Sequence, residues 1–123
     1  MNILRTDAKS KGNKVLLYKL TRSPETQKMS TLDGQRIDVE HYCFYENLKT
    51  DKNGNESMVS ILTLMTREGE IFGTNSKTII EEFESILDIF EEDLEPEGAA
   101  IPIKVISGVS KNDRTYFTVA YAD

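Results

Sequence analysis

The segment Thr74-Asn75-Ser76-Lys77-Thr78-Ile79-Ile80-Glu81-Glu82-Phe83-Glu84-Ser85-Ile86-Leu87-Asp88-Ile89-Phe90 carries the strongest periodicity in the chain. Ile79, Ile80, Phe83, Ile86, Leu87 and Phe90 recur at spacings of one, three and four, which draws a single apolar stripe along an α-helix. Thr74, Asn75 and Ser76 are successive candidate caps, and Thr78 and Glu81 have capping-box spacing. Glu81, Glu82, Glu84, Asp88, Glu91 and Glu92 occupy the other faces. The late acids oppose the helix dipole, at a cost of about 0.3 to 1 kcal/mol each. Glu95-Pro96-Glu97-Gly98 ends the helix.

What surrounds this helix predicts β structure. Upstream, Val15 to Leu20 is a short apolar run expected as a first strand, and residues 21 to 36, with Ser23-Pro24 and Asp33-Gly34, form a long connection. Ile37 to Leu48 is rich in β-branched and aromatic residues; alternation places Val39, Cys43 and Tyr45 on one face and Tyr42 and Phe44 on the other, so one aromatic pair is a candidate for exposure. A turn at Asp51 to Asn55 leads to a third strand, Met58 to Thr66. Arg67 to Glu70 turns into a brief strand, Ile71 to Gly73, ahead of the helix. Beyond it, Ile101 to Gly108 and Thr115 to Tyr121 form a hairpin around Lys111-Asn112-Asp113-Arg114.

Three strands, a helix and two strands is the order of a mainly β, five-stranded Greek-key barrel of the OB type, with one amphipathic helix between strands three and four. An α+β sheet packed on one helix is the alternative. Residues 14 to 123 form the single domain in this account. Residues 1 to 13, polar and basic around Lys9-Ser10-Lys11-Gly12-Asn13, are expected as a flexible arm.

A chain of 123 residues suits one domain, and its apolar runs are too short to cross a bilayer as a helix. The charged start lacks the apolar stretch of a secretory signal, and Cys43 has no partner for an intrachain disulfide, so a reducing cytosol is expected. The net charge of -6 argues at first against a polyanionic partner. Its distribution reverses that inference: residues 81 to 97 carry -9, against +2 before them and +1 after. Within the first 22 residues, Arg5, Lys9, Lys11, Lys14, Lys19 and Arg22 face only Asp7.

An OB barrel binds oligonucleotides or oligosaccharides across strands two and three, helped by the loops joining strands one to two and four to five. Those regions offer Tyr42, Phe44 and Tyr116 for base stacking, with Tyr18 and Tyr45 behind them because either can face the core. Lys19, Arg22, Lys28, Arg36, Lys111 and Arg114 are the candidate phosphate contacts. The rival hypothesis is a protein-interaction module or DNA-mimic inhibitor acting through residues 81 to 97.

Enzyme chemistry has little support. One histidine and one cysteine make no conventional zinc site, and no phosphate-cradling glycine motif is present. His41 and Cys43 share a strand face, a spacing that could activate a thiolate, but an ordinary structural histidine is the simpler account. The acidic pairs lack a neighbouring nucleophile pattern. No catalytic residue, cofactor or metal is expected.

Four segments resemble small single-stranded DNA-binding proteins of phages and prophages of Gram-positive bacteria. They are Tyr18-Lys19-Leu20-Thr21-Arg22-Ser23-Pro24; Thr74-Asn75-Ser76-Lys77 before the helix; Val105-Ile106-Ser107-Gly108 with Ser110-Lys111; and Arg114 to Tyr121. The resemblance implies a non-enzymatic protein of the bacterial host cytoplasm that coats single-stranded DNA in phage replication or recombination. Replication or recombination proteins are its expected partners, with no membrane, and self-association is open. Many bacterial single-stranded DNA-binding proteins end in an acidic tail, whereas this chain stops at Tyr121-Ala122-Asp123. If partners are recruited, Glu91, Glu92, Asp93 and Glu95 are the candidate contacts.

Overall fold

The computed structural model describes residues 1–8 and 13–123. Its organising element is β3 (Arg36–Thr50), long enough to pair with β4 (Glu56–Thr66) along one edge and with two strands on the other. Arg36 to Val39 pair with β6 (Ile101–Val109), and Cys43 to Glu46 pair with β1 (Asn2–Thr6). β5 (Ile71–Thr74) extends the sheet beyond β4, β2 (Gln27–Lys28) runs parallel to β5, and β7 (Thr115–Tyr121) is antiparallel to β6. Among the described residues this makes one curled sheet of seven strands, in the order β2-β5-β4-β3-β6-β7 with β1 on β3.

The stripe on Lys77–Phe90 forms α2, lying between β5 and β6. Of the candidate caps, Ser76 is used: its hydroxyl accepts from the Ile79 amide at 3.3 Å. Ile79, Phe83, Ile86 and Leu87 enter the main core with Leu62, Leu64, Ile101, Ile103, Val105 and Val119. Phe90 stacks on Tyr121 of β7 with centroids 4.2 Å apart. Past Phe90 the chain tightens into a 3-10 turn, Glu91–Leu94.

Four expectations need correction. Val15 to Leu20 belongs to a helix, α1 (Lys14–Arg22), not a strand. Leu16, Leu17 and Leu20 lie at helical spacing and pack on Cys43 and Tyr45, while Val15 and Tyr18 face outward. Lys19 and Arg22 sit in its last turn, where the dipole favours cations, and Ser23-Pro24 stops it.

The start of the expected basic arm is also ordered. Asn2–Thr6 is β1, fixed because the Thr6 hydroxyl donates to the Tyr42 carbonyl at 2.7 Å and Asp7 accepts from the Tyr42 amide at 2.9 Å. The rest of that arm, Lys9 to Gly12, lies outside the described residues. Third, the connection from 21 to 36 contains β2 and a 3-10 turn, Met29–Leu32, whose Met29 and Leu32 are buried. Finally, the five-stranded barrel with one helix is replaced by a seven-stranded sheet with two α-helices among the described residues.

Candidate nucleic-acid interface

The two ends of the sheet, β2–β5 and β7, do not pair with each other. Between them runs an open groove of about 1030 Å³. One wall carries Thr26, Gln27 and Lys28 with Gly73 and Thr74; the other carries Thr115, Tyr116 and Phe117. The C-terminal half of β3 contributes Tyr45, Asn47 and Lys49 on one alternating face, joined by Val59, Ile61 and Thr63 of β4. Asn75, Ser76 and Thr78 bring in the positive end of the α2 dipole. No Asp or Glu lines the groove, although acids outnumber bases in the chain by 21 to 15.

Tyr116 is the exposed aromatic of this groove, with 46% of its surface free. It stands opposite Gly108 in the β6–β7 ladder, and its phenol end lies across the glycine, where any Cβ would collide with it. Lys111 and Arg114 are exposed in the turn just before it. That turn closes through Ser110 and Arg114, with Asp113 at a φ of 56°. Lys19 and Arg22 are exposed on α1, whose Leu20, Thr21 and following Ser23 reach the groove. None of the ion pairs among the described residues involves Lys19, Arg22, Lys28, Lys49, Lys111 or Arg114.

The other sequence candidates fall elsewhere. Tyr42 and Phe44, expected as stacking residues, are core residues with 1% and 3% of their surface exposed. They pack edge-on to each other at 5.9 Å, and both meet Phe83 of α2. Alternation misled because β3 bulges between Val39 and His41, which puts Val39 in the same core as Tyr42 and Phe44. It misled also because both faces are covered: α1 buries Cys43 and Tyr45 while α2 buries Tyr42 and Phe44. Arg36 lies at the far end of β3, 3.5 Å from Asp38, in a separate hollow lined by Glu68 and Glu70. Of the groove's cations, Lys49 was missed; its signal was the alternation Tyr45, Asn47, Lys49, which continues the face of a known aromatic.

Several acidic residues gather in a second hollow that shares no lining residue with the groove. Glu91, Glu92 and Glu95 line a hollow with Arg5, Asp7, Tyr42 and Asp88, and Asp93 is exposed beside them. Arg5 of β1 donates to Asp88 at 2.8 Å and pairs with Glu91, with Glu84 at 3.9 Å. Glu91 is therefore engaged within the chain, tying β1 to α2 and offsetting part of the charge repulsion at the helix end.

His41 and Cys43 do not form a nucleophilic pair. The His41 Nδ1 lies 2.6 Å from Asp7 Oδ2, and this hydrogen bond raises the imidazole above its ordinary value of 6.5 despite burial. Burial pushes the Cys43 thiol up to about 11, so it stays protonated at neutral pH. No cluster of metal-ligating side chains occurs among the described residues, and none of their helices is long and apolar enough to cross a membrane.

No curated protein and no solved structure matches the chain significantly. One family does: the model described as phage single-stranded DNA-binding protein matches residues 3–122, which run from β1 through β7 and include both α-helices among the described residues and the whole groove. With that match over nearly its full length, the chain belongs to the family of phage single-stranded DNA-binding proteins, which are DNA-binding proteins and not enzymes.

Proposed function

We propose that this protein coats and protects single-stranded DNA without regard to sequence, during phage replication or recombination in the bacterial host cytoplasm, and that the strand lies in the groove between β2–β5 and β7. One observation carries the assignment of the site. In a chain of net charge -6, this groove has no carboxylate among its described lining residues and holds an exposed tyrosine together with Lys28 and Lys49. Aromatic faces for bases and cations for the backbone are what a sequence-tolerant single-strand site needs, each stacked base contributing about 1 to 3 kcal/mol.

The connectivity supports an OB-type reading of the part from β3 onward. A meander of β3, β4 and β5 is followed by α2 and then the β6–β7 hairpin, and β3 pairs with both β4 and β6. In a closed OB barrel the third and fifth of these strands would meet; here β2 takes that edge of β5, and the groove occupies the seam.

Fluorescence anisotropy with labelled oligothymidine and a duplex of equal length, at two salt concentrations, tests the function. Tight binding to the single strand that weakens with salt, and weak binding to the duplex, is expected. No binding to oligothymidine at low salt refutes it. For the site, Tyr116→Ala is expected to weaken oligothymidine binding about 5- to 150-fold, the equivalent of losing one stacked base. Unchanged affinity in the folded variant refutes the assignment of Tyr116.

A further inference from the structure

We infer that Gly108 is a positioning residue: its missing side chain makes the bed on which the Tyr116 ring is held ready for a base. The inference rests on the stacking role proposed for Tyr116. Gly108 and Tyr116 face each other across the β6–β7 ladder. A Cβ built on Gly108 would lie 2.6 Å from both Cζ and Oη of Tyr116 and 2.9 Å from Cε1, well inside any non-bonded contact.

The backbone itself does not ask for glycine here. The glycines with positive φ are Gly34, Gly54, Gly69 and Gly98, all in turns or loops, and Gly108 is not among them. A glycine inside a strand weakens it relative to alanine, through chain entropy and the lack of a side chain to pack. What occupies the vacant space is the phenol end of Tyr116. Laid across β6, the ring covers an otherwise bare stretch of backbone and gives up rotameric freedom before any ligand arrives. Ligand binding then does not have to supply that ordering.

Any side chain at position 108 must push the ring aside. Tyr116 is nearly half exposed and can swing away, so the fold survives while the platform is lost. Stability and binding therefore respond in opposite directions, which a purely structural glycine would not produce.

The test is a double-mutant cycle of Gly108→Ala and Tyr116→Ala, read by oligothymidine anisotropy and thermal melting. Gly108→Ala is expected to melt at or above the parent temperature yet bind about 2- to 10-fold more weakly, the scale of re-ordering one side chain. In the Tyr116→Ala background the same change is expected to leave affinity unmoved and to raise the melting temperature, since nothing remains to collide. If Tyr116→Ala weakens binding and Gly108→Ala does not, the stacking role stands and the role of Gly108 is overturned. Equal loss from Gly108→Ala with and without Tyr116 also overturns it, because the effect then bypasses the ring. A large drop in melting temperature for Gly108→Ala overturns it too, since the ring would not have yielded. Parental affinity in Tyr116→Ala removes the stacking role itself and the inference with it.

Discussion

Replacing Tyr42 with alanine separates the core from the interface. The ring is 1% exposed and meets Phe44 and Phe83 at centroid distances of 5.9 and 6.3 Å, at the junction of β3 with α2. Removing a large aromatic from such a place typically costs about 3 to 5 kcal/mol, combining lost burial with the cavity left behind. Domains of this size have roughly 5 to 15 kcal/mol in all, so about a fifth or more of the stability goes with one ring. At roughly 3 to 6 °C per kcal/mol, the melting temperature should fall by roughly 9 to 30 °C. Tyr42→Phe keeps the edge-on packing and should lose far less. The assay pairs thermal and urea unfolding with oligothymidine anisotropy at a temperature where the variant is still folded. The expected result is a large loss of stability with affinity close to the parent. A variant melting within a few degrees of the parent but binding tenfold more weakly would show that Tyr42 touches the ligand, and the partition of aromatics made here would be wrong.

Changing Lys28 and Lys49 together to glutamine should make the slope of log affinity against log salt shallower by about 1.4, since each phosphate contact on a single strand contributes about 0.7; an unchanged slope would remove both lysines from the interface. Glu92→Lys with Glu95→Lys, neither of them in the groove lining, should leave single-strand binding equal or stronger, and a sharp loss would tie the acidic hollow to the DNA. The buried Thr63 hydroxyl has no hydrogen-bond partner among the described residues, so Thr63→Val should raise the melting temperature, and a fall would mean that the hydroxyl is satisfied. The Asp7–His41 hydrogen bond raises the imidazole value on folding, so the charged pair stabilises the fold fully below about pH 6.5. That contribution disappears as pH rises through the elevated folded-state value. The melting-temperature gap between the parent and His41→Gln should accordingly narrow from pH 6 to pH 9, and a constant gap would contradict the protonated pair.

Some elements were legible in the residues because their signals were long. α2 was, since six apolar positions on one stripe and a run of caps have no strand interpretation. The strands after residue 36 were too, because β-branched runs are bounded there by Asp51 to Asn55, Arg67 to Glu70 and Lys111 to Arg114, turns that the structure forms. Val15 to Leu20 was not, because six apolar residues fit a buried strand or two turns of helix equally well, and only packing against Cys43 and Tyr45 selects the helix. β1 escaped because only Thr6 of its five residues is buried and it is held to β3 by bonds that Thr6 and Asp7 contribute.

The candidate site was half legible for a related reason. Tyr116 was picked out for its place just after the Lys111 to Arg114 turn, and the structure leaves it half exposed beside the groove. Tyr42 and Phe44 were misassigned because alternation says which residues share a face, not whether a second layer covers that face. The seam that makes the groove depends on which strand edges stay unpaired, and residue patterns within single strands do not encode that.

The most direct measurement is photocrosslinking of the full chain to oligothymidine in which single thymines are replaced by 5-iodouracil, followed by peptide mapping. Crosslinks are expected at Tyr116 and along the groove segments 26–30 and 45–49, lost from position 116 in Tyr116→Ala. Crosslinks confined to the acidic segment 81–97, or to surfaces away from the seam between β2–β5 and β7, would contradict the placement of the strand in the groove.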